Sequence, residues 1–148
     1  MKYEINDETV AIIPIDSSNT KIIELTKEYD VPQSTFEILE ENCEYYGSTY
    51  NGRIKAAQKI LNFSYKIPLL VEESGKIIFF PTRSSNAIDC CWINHNFVKK
   101  REKNGKQTKV MFSNCVEKTF NISKLSFENQ LLRAGMLDAM ISKRIKQK

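Results

Sequence analysis

The sequence is poor in the residues that chemistry needs: 148 positions hold one histidine, one tryptophan and five glycines. One histidine leaves little room for nucleophilic catalysis. Its nearest cysteine, Cys91, lies four positions from His95 in a stretch that reads as a strand, roughly 13 Å away by strand rise. No two carboxylates sit in an apolar or glycine-rich setting that would separate an acid from a base, so no enzyme is expected. The glycines never build the Gly-Lys-Ser/Thr end of a nucleotide P-loop. Cys43, Cys90, Cys91 and Cys115 lack the short ligand spacing of structural zinc, and the adjacent Cys90 and Cys91 would face opposite sides of a strand. Reduced, buried thiols are expected, with no metal and no cofactor. No window approaches the roughly 18 apolar residues of a membrane span, and residues 1–8 lack the basic-then-apolar layout of a signal peptide. The expected setting is the cytoplasm, with no membrane partner.

What is present is an ordinary globular mixture, 41% hydrophobic and 27% charged, sized for one domain over 1–148. The net charge of +4 is unevenly spread. Residues 1–98 carry nine bases against fourteen acids, residues 99–109 six bases against one acid, and residues 140–148 four bases and no acid. Clustering of this kind is the footprint of a polyanion binder, or else a solvated loop and a solvated tail.

The chain is organised around residues 76–114. Lys76-Ile77-Ile78-Phe79-Phe80, stopped by Pro81, reads as a strand buried on both faces. Thr82 to Asn86 form a polar turn, and residues 90–98 hold Trp92 and His95. The chain then turns basic, bends at Asn104-Gly105 and returns to Phe112. Asn-Gly is the strongest short hairpin signal, because both residues tolerate positive φ. A two-stranded ribbon with an apolar root and a cationic tip is expected.

Upstream, residues 9–15 and 21–25 read as two strands, with Pro14 suggesting an edge position for the first. Ser34 and Glu37 have capping-box spacing for a short helix to about Asn42. Tyr45 to Lys55 interleaves tyrosines with Gly, Ser, Asn and two bases, then runs into a helix from Ala56. Small residues before a helix let backbone N–H groups approach an anion; the alternative is a glycine loop with tyrosines in the core. Residues 66–73 form a strand, residues 118–122 a half-buried one, and Ser126 caps a long last helix. The apolar arc of that helix is wide enough to cover both the sheet and a second subunit. The fold class expected is α+β: a mostly antiparallel sheet, a β-hairpin with a basic tip, two short helices and a long C-terminal helix.

Gly47-Ser48-Thr49-Tyr50-Asn51-Gly52-Arg53, Phe79-Phe80-Pro81-Thr82-Arg83-Ser84-Ser85, Cys91-Trp92-Ile93, Phe112-Ser113-Asn114 and Ser126-Phe127-Glu128-Asn129-Gln130 occur in this order. In them the chain resembles the ComK family of competence transcription factors, from about Tyr3 to about Lys143. The resemblance implies a DNA-binding activator of DNA-uptake genes that recognises paired A/T-rich boxes through the minor groove. It also implies an oligomer assembled from dimers, nucleoid-associated in the cytoplasm. Longer members extend past the last helix and are controlled there by adaptor-guided proteolysis; this chain stops at Lys148, so no adaptor or protease partner is expected. The alternative is a truncated paralogue or protein-interaction module that modulates a full-length regulator.

Minor-groove readout separates A·T from G·C, and narrow A-tracts draw in basic side chains. Arg53 and Arg83, in turns of small polar residues, are the expected groove readers. Tyr50, Asn51, Lys55, Thr82, Ser84 and Ser85 would support them. Lys99, Lys100, Arg101, Lys103 and Lys106 on the hairpin, with Lys143, Arg144 and Lys146, would attract phosphate. Phe127, Leu131, Leu132, Met136 and Met140 are the expected oligomer seam on the last helix.

Overall fold

The computed structural model describes residues 1–146 and holds two antiparallel sheets, three α-helices and a short 3-10 turn at His95–Phe97. Strands β1 (Thr9–Pro14), β2 (Thr20–Glu24), β3 (Glu28–Val31), β4 (Leu69–Glu72), β5 (Ile77–Pro81) and β6 (Trp92–Asn94) make a six-stranded sheet in the order β3-β2-β1-β6-β5-β4. Strands β7 (Val98–Asn104), β8 (Gln107–Phe112) and β9 (Glu117–Phe120) make a second sheet in chain order. Helices α1 (Thr35–Tyr45) and α2 (Tyr50–Leu61) lie between β3 and β4 in sequence, and α3 (Lys124–Lys146) closes the chain. The class is the α+β arrangement expected.

The apolar run of β5 is buried along its whole length because the large sheet is covered on both faces. Ile77 and Phe79 join Ile38, Leu39 and Trp92 in a core with α1. Ile78 and Phe80, pointing the other way, join Val110, Phe112, Phe127, Ala134 and Leu137 in a core shared by α3 and the small sheet. The ring of Phe80 meets that of Phe127 edge-on at 5.4 Å, and Phe127 is fully buried. Burying a side chain of this size contributes about 1.5–3 kcal/mol, so this contact clamps α3 between the sheets.

Several local expectations are corrected. Pro14 does not mark an edge: β1 lies between β2 and β6. It is tolerated because β6 pairs only with Ala11 and Ile12, leaving the proline past the end of that ladder. β3 was not anticipated; its Glu-Tyr-Asp-Val is charged, as suits a solvated edge. The capping box of Ser34 and Glu37 is present, but α1 runs on to Tyr45. β9 adds a third strand to the hairpin, so the ribbon is a sheet. α3 starts two residues before Ser126, where Ser123 Oγ accepts from the Ser126 N–H at 3.2 Å and its carbonyl from the Phe127 N–H. Of the thiols, Cys43 and Cys90 are buried, whereas Cys115 is exposed. Among the described residues no helix is long and apolar enough to cross a membrane.

Candidate nucleic-acid interface

The loop between β5 and β6 is closed at its base by Thr82. Its N–H donates to the Cys91 carbonyl at 2.9 Å, and its Oγ1 accepts from the Cys91 N–H at 3.0 Å. Thr82 is 2% exposed, so the expected DNA contact from this side chain is corrected: the hydroxyl is used inside the loop. Above it, Ser84, Ser85 and Asn86 are exposed. Half-buried Arg83 reaches Asp89 Oδ2 at 3.5 Å, with both side chains more than a third exposed. A pair this long and this wet is weak. The same carboxylate oxygen accepts from Asn121 Nδ2 at 3.2 Å, tying the loop to the end of β9.

The Tyr45–Lys55 stretch is not a single loop: it ends α1 and opens α2. Gly47, at φ 91°, leads out of α1, and Thr49 caps α2 by accepting from the Gly52 N–H at 3.0 Å. A Cβ on Gly52 would stand 2.9 Å from Thr49 Oγ1, so glycine is what lets this cap close. Tyr50, Asn51, Arg53 and Lys55 therefore stand on the first turns of a helix, a correction of the expected turn. Tyr50 packs edge-on to Phe36 and Trp92, at 5.2 and 6.3 Å. Burial pushes its phenol pKa up, with nearby Ser85 opposing. Tyr50 thus joins Ser84, Ser85, Gln58 and Tyr65 around a groove of about 470 Å³ between α2 and the loop. Asn51 and Lys55 are exposed.

Arg53 faces elsewhere. It lines a cavity of about 240 Å³ between α2 and α3 with Ala57, Leu137, Ile141 and Arg144. Its Nε is out of solvent and has no acceptor. The two arginines expected to act together are not brought together: Arg83 sits near the start of α3 and Arg53 beside its end.

In the hairpin, the carboxylates within reach decide which cations stay free. Arg101 pairs with inward-facing Val110, which turns it toward α3. There its Nε and an Nη meet the two Glu128 oxygens at 2.6 and 3.0 Å. Hydrogen bonding to Arg101, ahead of the opposing burial, holds the Glu128 carboxyl below its usual range; Lys124, at 3.2 Å, assists. Arg101 is therefore not the free phosphate ligand expected. Lys109 is held by Glu117 at 3.1 Å and Glu102 at 3.8 Å. Lys99, Lys100, Lys103 and Lys106 are exposed, with no ion pair among the described residues. The hairpin end lies beside the loop, since Thr108 Oγ1 donates to the carbonyl of Ile122, next to Asn121.

At the other end of α3, Lys143, Arg144 and Lys146 are exposed; Lys148 lies outside the described residues. The expected seam is corrected at Phe127, which is core, while Leu131 is half-buried. Leu132, Met136 and Met140, spaced four apart, are 63%, 40% and 38% exposed. Nothing approaches a Cβ built on the neighbouring Gly135, so no packing within the chain requires glycine there. Beneath this helix His95 Nε2 stands 3.3 Å from Asp138 Oδ2. Burial lowers the His95 pKa and outweighs Asp138, so the imidazole is neutral at pH 7 and the contact is not an ion pair. Residues that line or flank these features without having been expected there are Gln58, Tyr65 and Asn86 at the groove and Lys124 beside Glu128. Only Lys124 carried a signal, as a lone base beside a helix start.

A protein-family model described as "ComK protein" matches residues 1–146. The chain is also 35% identical over 147 residues to the competence transcription factor of Bacillus subtilis (strain 168), an alignment covering 97% of this chain and 77% of that protein. No solved structure matches.

Proposed function

The chain belongs to the ComK family, and from that membership we propose that it regulates transcription of DNA-uptake genes by binding paired A/T-rich boxes as an oligomer. In this reading Arg83 enters the minor groove, where a narrow A-tract concentrates negative potential. Exchanging its weak contact with Asp89 for the duplex costs little. Ser84, Ser85, Tyr50 and Asn51 supply hydrogen bonds to sugar, phosphate or base edges. Arg53 would have to leave the α2–α3 cavity to touch DNA, so it is assigned to that seam instead. Lys55 on the flank of α2 contacts phosphate.

The observation that carries the reading is Lys103 and Lys106, unpaired and exposed at the hairpin end beside a loop of small polar residues, with unpaired Lys99 and Lys100 further back on β7. Lys143, Arg144 and Lys146 form the second basic group. They lie roughly 28–33 Å from the start of α3 by helix rise, close to one turn of duplex. The stripe of Leu132, Met136 and Met140 pairs two copies about a two-fold axis, matching protein symmetry to paired boxes.

Titration against matched A/T-rich and G/C-rich duplexes at physiological salt tests the reading. Tighter binding to the A/T-rich duplex is expected, and Arg83→Ala should reduce the preference by about 1–3 kcal/mol. Equal binding to both duplexes would refute groove reading and leave only a charged surface.

A further inference from the structure

The loop that carries Arg83 also carries Ile88, which is 93% exposed, more than any other large hydrophobic residue among the described residues. A lone exposed aliphatic residue is ordinary on a protein surface, so exposure alone decides nothing. Its presentation does. The Ala87 N–H donates to the Ser84 carbonyl at 2.9 Å and the Cys90 N–H to the Ala87 carbonyl at 3.1 Å, so two turns meet at Ala87 and Ile88 stands at the second position of the latter. Below it the loop is closed by the Thr82–Cys91 pair of hydrogen bonds. The neighbouring Asp89 is held by Asn121 Nδ2 at 3.2 Å, a contact that remains when Arg83 gives up its own 3.5 Å contact to the duplex. Ile88 is β-branched and stiff at χ1. The result is an apolar tip flanked by exposed Ser84, Ser85 and Asn86, with Arg83 in the same loop.

Apolar tips set among polar donors are what minor-groove proteins insert between base pairs, partly unstacking them and bending the duplex by roughly 20–90°. We propose that Ile88 is such a wedge: when the Arg83 loop docks, Ile88 enters a base step of the A/T-rich box and kinks it. The proposal rests on the groove reading above and adds a preference within it. Uninterrupted A-tracts are stiff, whereas a TpA step unstacks easily, so boxes with a TpA step under Ile88 are bound tightest. The inner side of the loop also walls a groove of about 310 Å³ with Phe36, Leu39 and Trp92. Asp16 also lines that groove, and Glu37 lies in the first turn of the adjoining α1, so the floor of the groove, unlike its rim, does not suit a duplex. Ile88 stands at its lip, directed away from nearly all protein contact.

The test compares the full chain with Ile88→Ala and Ile88→Met on an end-labelled A/T-rich duplex containing a TpA step, reading bend by energy transfer and affinity by titration. A second duplex carries a nick at that step, where bending no longer requires unstacking. Because Ile88 is almost wholly in solvent, neither substitution threatens folding. On the intact duplex Ile88→Ala should lose most of the bend and bind roughly tenfold more weakly, while Ile88→Met stays near wild type. On the nicked duplex the penalty for Ile88→Ala should shrink to within about twofold. Wild-type bend and affinity in Ile88→Ala would overturn the wedge while leaving groove reading intact. Equal loss on intact and nicked duplexes would overturn it too, as would unchanged DNA binding with loss of transcription in a purified system, which would assign Ile88 to a protein partner. If the wild-type chain shows no A/T preference at all, the groove reading falls and the wedge falls with it.

Discussion

Replacing Lys99, Lys100, Lys103 and Lys106 together by glutamine separates charge that is free from charge that is merely present. Residues 99–109 contain six bases, but Arg101 is held by Glu128 and Lys109 by Glu117 and Glu102. Only the remaining four can release counterions from duplex DNA. Each phosphate neutralised contributes about 0.9 to the slope of log affinity against log salt, so the quadruple variant should lose about 3.6 from that slope. Across a change from about 50 to about 200 mM salt, this is roughly two orders of magnitude in relative affinity. Arg101→Gln alone should leave the slope unchanged and cost under about 1 kcal/mol of stability, because its partners are about a third exposed. Fluorescence anisotropy over a salt series reads both. An unchanged slope in the quadruple variant would refute the hairpin's role. A drop of about 0.9 in Arg101→Gln would refute the claim that its pairing withdraws it from DNA.

Phe127→Ala should destabilise the fold by about 3–5 kcal/mol in urea unfolding, since the ring is fully buried against Phe80. Met136→Asp and Leu132→Asp, on exposed positions of the same helix, should leave unfolding nearly unchanged but yield monomers in sedimentation velocity; persistent oligomers would move the seam elsewhere. Ser34→Ala removes one half of the α1 capping box and should cost about 1 kcal/mol. His95 is buried neutral with its pKa lowered, so protons favour the unfolded chain. Its contribution is complete above the unfolded value of about 6.5 and is lost as pH falls below it toward the folded value. Stability should therefore decline over that interval in the wild type, and His95→Gln should flatten the decline; an identical pH profile in both would dismiss the histidine as its source.

Much of this molecule follows from local pattern. The five-residue apolar run of β5, the Asn104-Gly105 turn, the Ser34–Glu37 capping box and the long last helix all arise from forces acting over a few residues. They stand where pattern and turn chemistry place them. Ordered motifs across nearly the whole chain were likewise enough to indicate the family. Tertiary structure decided everything that depends on which face meets which neighbour. Pro14 sits in a central strand because β6 joins β1 from more than seventy residues away. Phe127 was one apolar residue among many on α3 until Phe80 met it, while Met136 on the same helix stayed in solvent. Arg53 and Arg83 look alike as sequence, but helix phase turns the first into a cavity and leaves the second on a loop. Arg101 and Lys103 are two positions apart on one strand, and only the first finds a carboxylate, supplied 27 residues later by Glu128. Charge and periodicity are properties of the chain. Pairing and exposure belong to contacts between distant segments, and those contacts decide which cations are left to meet DNA.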